Sequence, residues 1–420
     1  MPSLEADIRT RAQALGFSLC GFTRLARLPR EPFFTAWLAQ GYAGDMRYLA
    51  REPQRRLDPS MPFPQAKSVI CLGYPYAPPR MPDIDWRREL RGRIAAYAAG
   101  VDYHDLITEK LQQLIHFLMD RRPGVWARAY VDTGPLLERE WAYHSGLGWF
   151  GKNTMLLHKQ AGSWFFLAEI LVNLELEGEG IPRAHCGKCT RCLTDCPTGA
   201  LAEGYMLKAP LCISYLTIEH RGPIPHELRS RLDNWIFGCD ICQEVCPWNQ
   251  KFAQPREDLV DELFPSLPEL LTLDEAGFRA RFRRSAIRRT KRRGLLRNAA
   301  IALGNSGNPA AVPLLLAALH DPEPLVRGHA AWALGRFVEE REARRALRQH
   351  LERESHEQVR AETLLALGES SQECTAARPF HIAAARLQIL ACQPRQLIDG
   401  RRCSQKEPCA IVHAEPKTPK

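Results

Sequence analysis

The chain has 420 residues, 45% of them hydrophobic and 25% charged, with 57 Lys and Arg against 48 Asp and Glu and with 14 cysteines. That balance fits an ordinary globular protein of two to four domains and excludes a fibrous or low-complexity chain. No run of eighteen uninterrupted apolar residues occurs, so a membrane-spanning helix is not expected.

The N-terminal stretch MPSLEADIRTRAQALGF lacks the apolar core of a secretory signal and predicts an amphipathic helix over 4–15. A cytoplasmic location is expected, where clustered cysteines hold metal or redox centres more often than disulfides. Cys20 (FSLCGF) and Cys71 (VICLGY) lie among apolar neighbours and read as small buried hydrophobes. KSVICLGYPY (67–76) predicts a buried strand running into a Pro-rich loop. WARAYVDTGP (126–135) predicts a strand ending at a turn, and 154–177 a strand, a turn and further strand. Helices are expected over 104–120 and 136–146. The region up to about Leu176 is therefore α+β or α/β, with a central sheet.

Within it, YVDTGPLLEREWAYHSGLGWFGKNT (130–154) is dense in functional residue types. Asp132 ends a strand, directly before Thr133-Gly134-Pro135. Carboxylates at the carboxyl ends of strands are commonly catalytic, but the position equally suits an Asx-turn or helix cap, and spacing alone does not choose. Gly146, Gly148 and Gly151 with Lys152 and Asn153 resemble a phosphate-cradling loop. A helix precedes that loop and a strand follows, the reverse of a dinucleotide fingerprint. His104 (VDYHDL) and Arg56 (RRLDPS) are further candidates, although a lone His or Arg is more often structural.

The next region, 178–254, is rich in Gly, Pro and polar residues and cannot build much core of its own. It reads Cys186-x2-Cys189-x2-Cys192-x3-Cys196-Pro197, then Cys212, then Cys239-x2-Cys242-x3-Cys246-Pro247. The first run has the bacterial two-cluster spacing, in which the fourth cysteine ligates the other cluster. Zinc sites use paired cysteines without this third and fourth spacing or the repeated proline. By the crossing rule, Cys186, Cys189, Cys192 and Cys246 hold one 4Fe-4S cluster, and Cys196, Cys212, Cys239 and Cys242 hold the other. Cys212 departs from a plain ferredoxin, because 26 residues separate it from Cys239. That insertion reads as mostly helical and points to an interface beside the second cluster. Two clusters make a wire, so the first region must supply an electron acceptor.

From about 258 to 370 the pattern turns helical and repeats. Ala302-Leu303-Gly304, Ala333-Leu334-Gly335 and Ala366-Leu367-Gly368 recur, each preceded by an arginine (Arg297, Arg327, Arg360), as in HEAT-type two-helix units. Two and a half units are short for a free-standing solenoid, so packing on the rest of the chain is expected. The run RARFRRSAIRRTKRRGLLR (279–297) carries ten Lys and Arg and no acid, which predicts a polyanion partner, nucleic acid first. After Ser371 the pattern lapses. Cys374, Cys392, Cys403 and Cys409 are irregularly spaced, and a disordered tail is expected there.

These stretches together resemble the epoxyqueuosine reductase family, cobalamin-dependent enzymes that complete queuosine in tRNA. The resemblance rests on AAYAAGVDYH (95–104), 130–154, HCGKCTRCLTDCPTGAL (185–201), CISYLTIEHRG (212–222), WIFGCDICQEVCPWN (235–249) and SAIRRTKRRGLLRNAAIALGN (285–305). It implies an α+β multidomain protein. Residues 1–177 would be an α/β cobalamin-binding catalytic domain, 178–254 a ferredoxin-like two-cluster domain, and 258–370 a HEAT-like helical domain with a basic tRNA-binding segment. The segment 371–420 departs from the family. The resemblance further implies reductive opening of the epoxide at cobalt reduced through both clusters, with Asp132 as proton donor. Arg56, Lys152, Asn153, Ser214, Cys239 and Asp240 fall where the family contacts cobalamin or the modified nucleotide. Some members carry a cysteine in the stretch matching 95–104. This chain has none, so thiolate ligation of cobalt from that stretch is not expected. The acid should have a pKa raised by desolvation. Arg288, Arg289, Lys291, Arg292, Arg293 and Arg297 would meet the phosphates of the anticodon arm. An external low-potential electron donor and a monomeric state are also expected. Two rival readings are a cobalamin-dependent reductase of a small molecule, similar to reductive dehalogenases, and a non-catalytic iron–sulfur protein that binds nucleic acid. The basic run argues against the first and the 130–154 stretch against the second.

Overall fold

The computed structural model describes residues 3–76, 83–178, 180–252 and 260–369. The tail expected to be disordered lies outside them. Among these residues no helix is long and apolar enough to cross a membrane.

Among the described residues there are eight strands: β1 (Leu19–Arg24), β2 (Ser68–Pro75), β3 (Arg93–Ile94), β4 (Ala127–Tyr130), β5 (Trp149–Phe150), β6 (Leu156–Leu157), β7 (Phe165–Val172) and β8 (Trp235–Phe237). The main sheet runs β1-β2-β7-β4 and is antiparallel throughout, so the first region is α+β. β2 was legible as a buried strand because SVICLG is apolar on both faces, and all six of those residues are buried. Ile70, Leu72, Ala168, Ile170 and Val172 face the helices Leu4–Ala14 and Tyr103–Arg121. The longer helix starts at Asp102, whose side chain accepts from the His104 N–H. It buries Ile107, Leu111, Leu114, Ile115 and Leu118, one stripe at helical spacing. Val69, Cys71 and Leu171 face the other way, against Trp141 and Ala142 of the helix Glu138–His144. Sequence reading missed β1, which follows the helix Leu4–Ala14 after a short turn and has little alternation.

Residues 1–373 cluster as one compact unit. β3 pairs in parallel with β8, and Leu90, Ile94, Ile236 and Phe237 share a core with the helices from Leu267 to Leu347. The residues around 90–98 thus pack on the cluster insertion and the helical region as well as on their own sheet. The insertion holds the short helices Ile213–Ile218 and His226–Arg229 and then β8, so it is helical for only part of its length.

The Ala-Leu-Gly triplets have a packing cause. A Cβ on Gly304 would sit 2.9 Å from the Ala333 Cβ, and one on Gly335 would sit 2.9 Å from the Ala366 Cα. Each glycine lets its helix lie against the next: Lys291–Ser306 on Pro324–Gly335, and that one on Glu357–Leu367.

Candidate active site and cluster cavities

Asp132 lies two residues beyond β4, with φ 58°, a left-handed conformation that is uncommon for a non-glycine residue and typical of functional loops. The loop is pinned at both ends. Asp132 N–H donates to Glu138 Oε1. Arg56 donates to the Gly134 carbonyl at 3.0 Å. The Asp132 carboxylate accepts from the Tyr103 hydroxyl at 3.1 Å and lies 3.5 Å from His104 Nε2. The other ring nitrogen of His104 lies 2.7 Å from Asp102 Oδ1. His104 is therefore held between two carboxylates, and its pKa is raised, first by Asp132 and then, against desolvation, by Asp102. The pKa of Asp132 is lowered, chiefly by His104, which outweighs burial. This corrects the expectation of a desolvated, raised acid. Both shifts favour imidazolium against carboxylate.

Asp132 opens onto a cavity of about 380 Å³ between the sheet domain and the cysteine block. One wall is aromatic: Tyr103 and Phe166 stack with ring centroids 4.3 Å apart, and Tyr97 meets Tyr103 edge-on at 6.1 Å. The same cavity is lined by Cys196, Cys212, Cys239 and Cys242, one of the two expected quartets. A second cavity, of about 360 Å³, is lined by Cys186, Cys189, Cys192 and Cys246, the other quartet. Among the described residues no three His, Cys, Asp or Glu converge tightly enough for a single metal ion. A cubane takes its four thiolates at separate corners, so ligands ranged around a cavity are what it requires. Burial pushes the Cys239 and Cys242 thiols well up and Cys192 to about 11, so cluster binding must expel protons. The larger cavity is lined by flat rings and by a few polar groups, Asn153, Ser214 and Gln243 among them, the mixed lining that a planar macrocycle takes.

The expected cofactor contacts divide in two. Ser214, Cys239, Asp240 and Asn153 line the larger cavity. Asp240 is buried and spends its carboxylate on the Ala96 N–H (2.6 Å) and the Gln243 side chain (3.0 Å), while burial raises its pKa to about 6. Lys152 instead donates to the carbonyls of Gly187 (2.9 Å) and Cys189 (2.8 Å), and Asn153 donates to that of Cys242 (3.0 Å). The loop that resembled a phosphate cradle thus ties down both cysteine runs. Arg56 holds the Asp132 loop.

The basic run divides as well. Arg288, Arg289, Lys291 and Arg293 are exposed. Arg292 and Arg297 are not, and as phosphate contacts they are corrected here. Arg292 forks onto Asp321 and the Leu273 carbonyl. Arg297 is fully buried and donates to the carbonyls of Leu216, His220 and Gly222. Sequence reasoning missed Tyr103, Glu138 and Glu169. Glu169 could have been found, because it is the single charge in the apolar strand FFLAEILV.

Two cysteine quartets, one of them lining a cavity shared with the sheet domain, define a multidomain iron–sulfur oxidoreductase. Family profiles agree: "4Fe-4S double cluster binding domain" matches residues 185–249, "Epoxyqueuosine reductase QueG, DUF1730" matches 56–133, and "HEAT repeats" matches 281–368. An epoxyqueuosine reductase of Xanthomonas campestris pv. campestris is 41% identical over 339 residues, 78% of this chain and 95% of the relative. A crystal structure of epoxyqueuosine reductase with a tRNA-Tyr epoxyqueuosine-modified stem loop superposes with TM-score 0.81 at 31% identity, covering 87% of this chain and 98% of that one. The Bacillus subtilis enzyme, in a structure with its catalytic aspartate loop swung out of the active site, gives 0.80 at 30% identity over 88% and 99%. The chain belongs to the epoxyqueuosine reductase family. Enzymes of this family use cobalamin and iron–sulfur clusters, and the two cysteine quartets line the two cavities.

Proposed function

We propose that this chain reduces epoxyqueuosine to queuosine at the wobble position of tRNA. The observation that carries the reading is the likeness to the stem-loop-bound relative along almost the full length of both chains. Bound in the larger cavity, cobalamin supplies a two-electron nucleophile, which one-electron clusters do not. The chain's residues do the rest. The quartet Cys196, Cys212, Cys239 and Cys242 holds the proximal cluster, and Cys186, Cys189, Cys192 and Cys246 hold the distal one. Asp132, which lines that cavity with the Tyr103 hydroxyl bonded to its carboxylate and His104 3.5 Å away, delivers a proton to the epoxide oxygen. Residues 1–177, 178–254 and 258–370 serve as catalytic, relay and RNA-binding segments. The exposed face of Arg288, Arg289, Lys291 and Arg293, together with Arg283 and Arg284, takes the phosphates of the anticodon arm. Sequence selection falls to splayed loop bases. An external low-potential donor reduces the distal cluster, and a monomer in the cytoplasm suffices for this chemistry.

The test is mass spectrometry of nucleosides from an epoxyqueuosine stem-loop RNA treated with anaerobically reconstituted, cobalamin-loaded protein. Loss of one oxygen from the modified nucleoside is expected. A fully loaded enzyme that leaves the nucleoside unchanged would overturn the reading. The Asp132→Ala variant should keep its iron and corrin and lose turnover, and wild-type turnover in that variant would remove Asp132 as the acid.

A further inference from the structure

Glu169 is fully buried in the middle of the main sheet. It stands across from Cys71 on β2 and Tyr130 on β4, and it shares a face with Leu171, which packs under the helix Glu138–His144. No N–H or O–H among the described residues reaches either of its carboxylate oxygens. The group that does come within hydrogen-bonding reach is the Glu138 carboxyl. Both are acceptors when ionised, so the contact is a bond only when one of them carries a proton. Glu138 in turn accepts the Asp132 N–H. Three acids thus run Glu169, Glu138, Asp132 from the sheet interior to the cavity; Glu138 meets Asp132 only through the backbone N–H, but it lines the cavity itself and can deliver a proton there directly.

The reaction has a use for this chain of acids. Turning an epoxide into an alkene breaks two C–O bonds, forms one C=C bond and releases the oxygen as water. It consumes two electrons, which the clusters bring from the external donor, and two protons. Asp132 with His104 accounts for one proton. We propose that Glu138 and Glu169 form a carboxyl pair sharing one proton, and that this pair is the store from which the Asp132 end of the cavity receives the second. The inference rests on the reductase reading above. Burial and the neighbouring Asp132 charge push Glu138 to about 7, and burial pushes Glu169 well above the ordinary carboxylate range. The groups facing the pair are Asp132 on its loop, Arg139 on the same helix, Arg56, Tyr103 on the helix Tyr103–Arg121, and Cys71 on β2. At Glu138 the lowering by Arg139 is smaller than the raising by the Asp132 charge, and burial is the largest cause.

Both pKa values are raised, so the shared proton is present at neutral pH and leaves as pH rises through the pair's apparent value. Infrared spectroscopy of the reconstituted full chain should show the carbonyl stretch of a protonated carboxyl at neutral pH. The band should shift in D2O, fade on the alkaline side and be missing in Glu169→Gln. That arm needs no turnover, so it stands even if the proposed substrate fails. On the stem-loop RNA, Glu169→Gln should lower kcat by about 10²-fold, as loss of a proton-transfer group does, leave KM unchanged and abolish the alkaline limb of the pH profile. Glu138→Gln keeps a carbonyl for the Asp132 N–H and should give the same result with the loop intact. A wild-type protein without the protonated-carboxyl band, or a folded Glu169→Gln with wild-type kcat and pH profile, overturns the proposal.

Discussion

Asp132 draws its chemistry from three neighbours, and their separate effects can be measured. His104 has a raised pKa, so its pairing contributes fully below its ordinary value of 6.5 and fades as pH rises through the folded value. Asp132 has a lowered pKa, so its contribution is full above its ordinary value of 3.8 and fades as pH falls through the folded value. The pair is strongest between those limits. Replacing His104 by Asn removes the largest cause of the shift, and Asp132 should then titrate at higher pH, as carbon NMR of labelled aspartate can follow. An unchanged titration would mean that Tyr103 and Arg289 set its charge. The cysteines offer a cleaner count. Cys246→Ala removes one corner of the distal quartet and should cost about four of eight irons, the content of one cubane, read by iron analysis. The eight cysteines were legible because fixed spacings are local signals, whereas the strand end at Asp132 suited a turn or cap equally well and was singled out only by the family resemblance. Glu138 and Glu169 were not legible, because their meaning comes from register across β4, β7 and a covering helix.

Between elements, buried charge sets how the helical region is fastened. Arg229 of the insertion, only 1% exposed, forks onto Glu362 of the last helix at 2.8 and 2.6 Å, with His226 at 2.9 Å from the same carboxylate. These partners overcome desolvation and hold Glu362 down at about 2. Its stabilising effect is therefore complete above its ordinary value of 4.5 and is lost as pH falls toward 2. Glu362→Ala strands a buried guanidinium and should cost about 3–5 kcal/mol in denaturant titrations. A loss under about 1 kcal/mol would show that water replaces the carboxylate. The repeat itself was readable from three Ala-Leu-Gly triplets, since close helix packing demands a small residue at a fixed position. The insertion was only half readable, because β8 acquires its partner from residues 93–94, far back in the chain.

Across the whole molecule, the basic run serves two ends where one was expected. The fold turns Arg288, Arg289, Lys291 and Arg293 to solvent and turns Arg292 and Arg297 inward, where burial brings Arg297 down to about 9. Charge density in a sequence does not say which way a helix faces until its neighbours are known. The two sets should separate in experiment. Charge reversal of Arg288, Arg289 and Arg293 should weaken stem-loop RNA binding. It should also flatten the dependence of binding on log salt by about 0.7–0.9 for each phosphate no longer neutralised, with iron content unchanged. Changing Arg297 to Leu should destabilise the protein as a whole, seen as a lower melting temperature. Equal salt slopes in wild type and the triple variant would remove this face from the RNA interface. Arg289 also has a second allegiance. It holds Glu219 at 2.9 and 3.1 Å while its charge helps to keep the proton off Asp132. A phosphate that engages Arg289 from outside would neutralise that charge, and the proton affinity of Asp132 would rise.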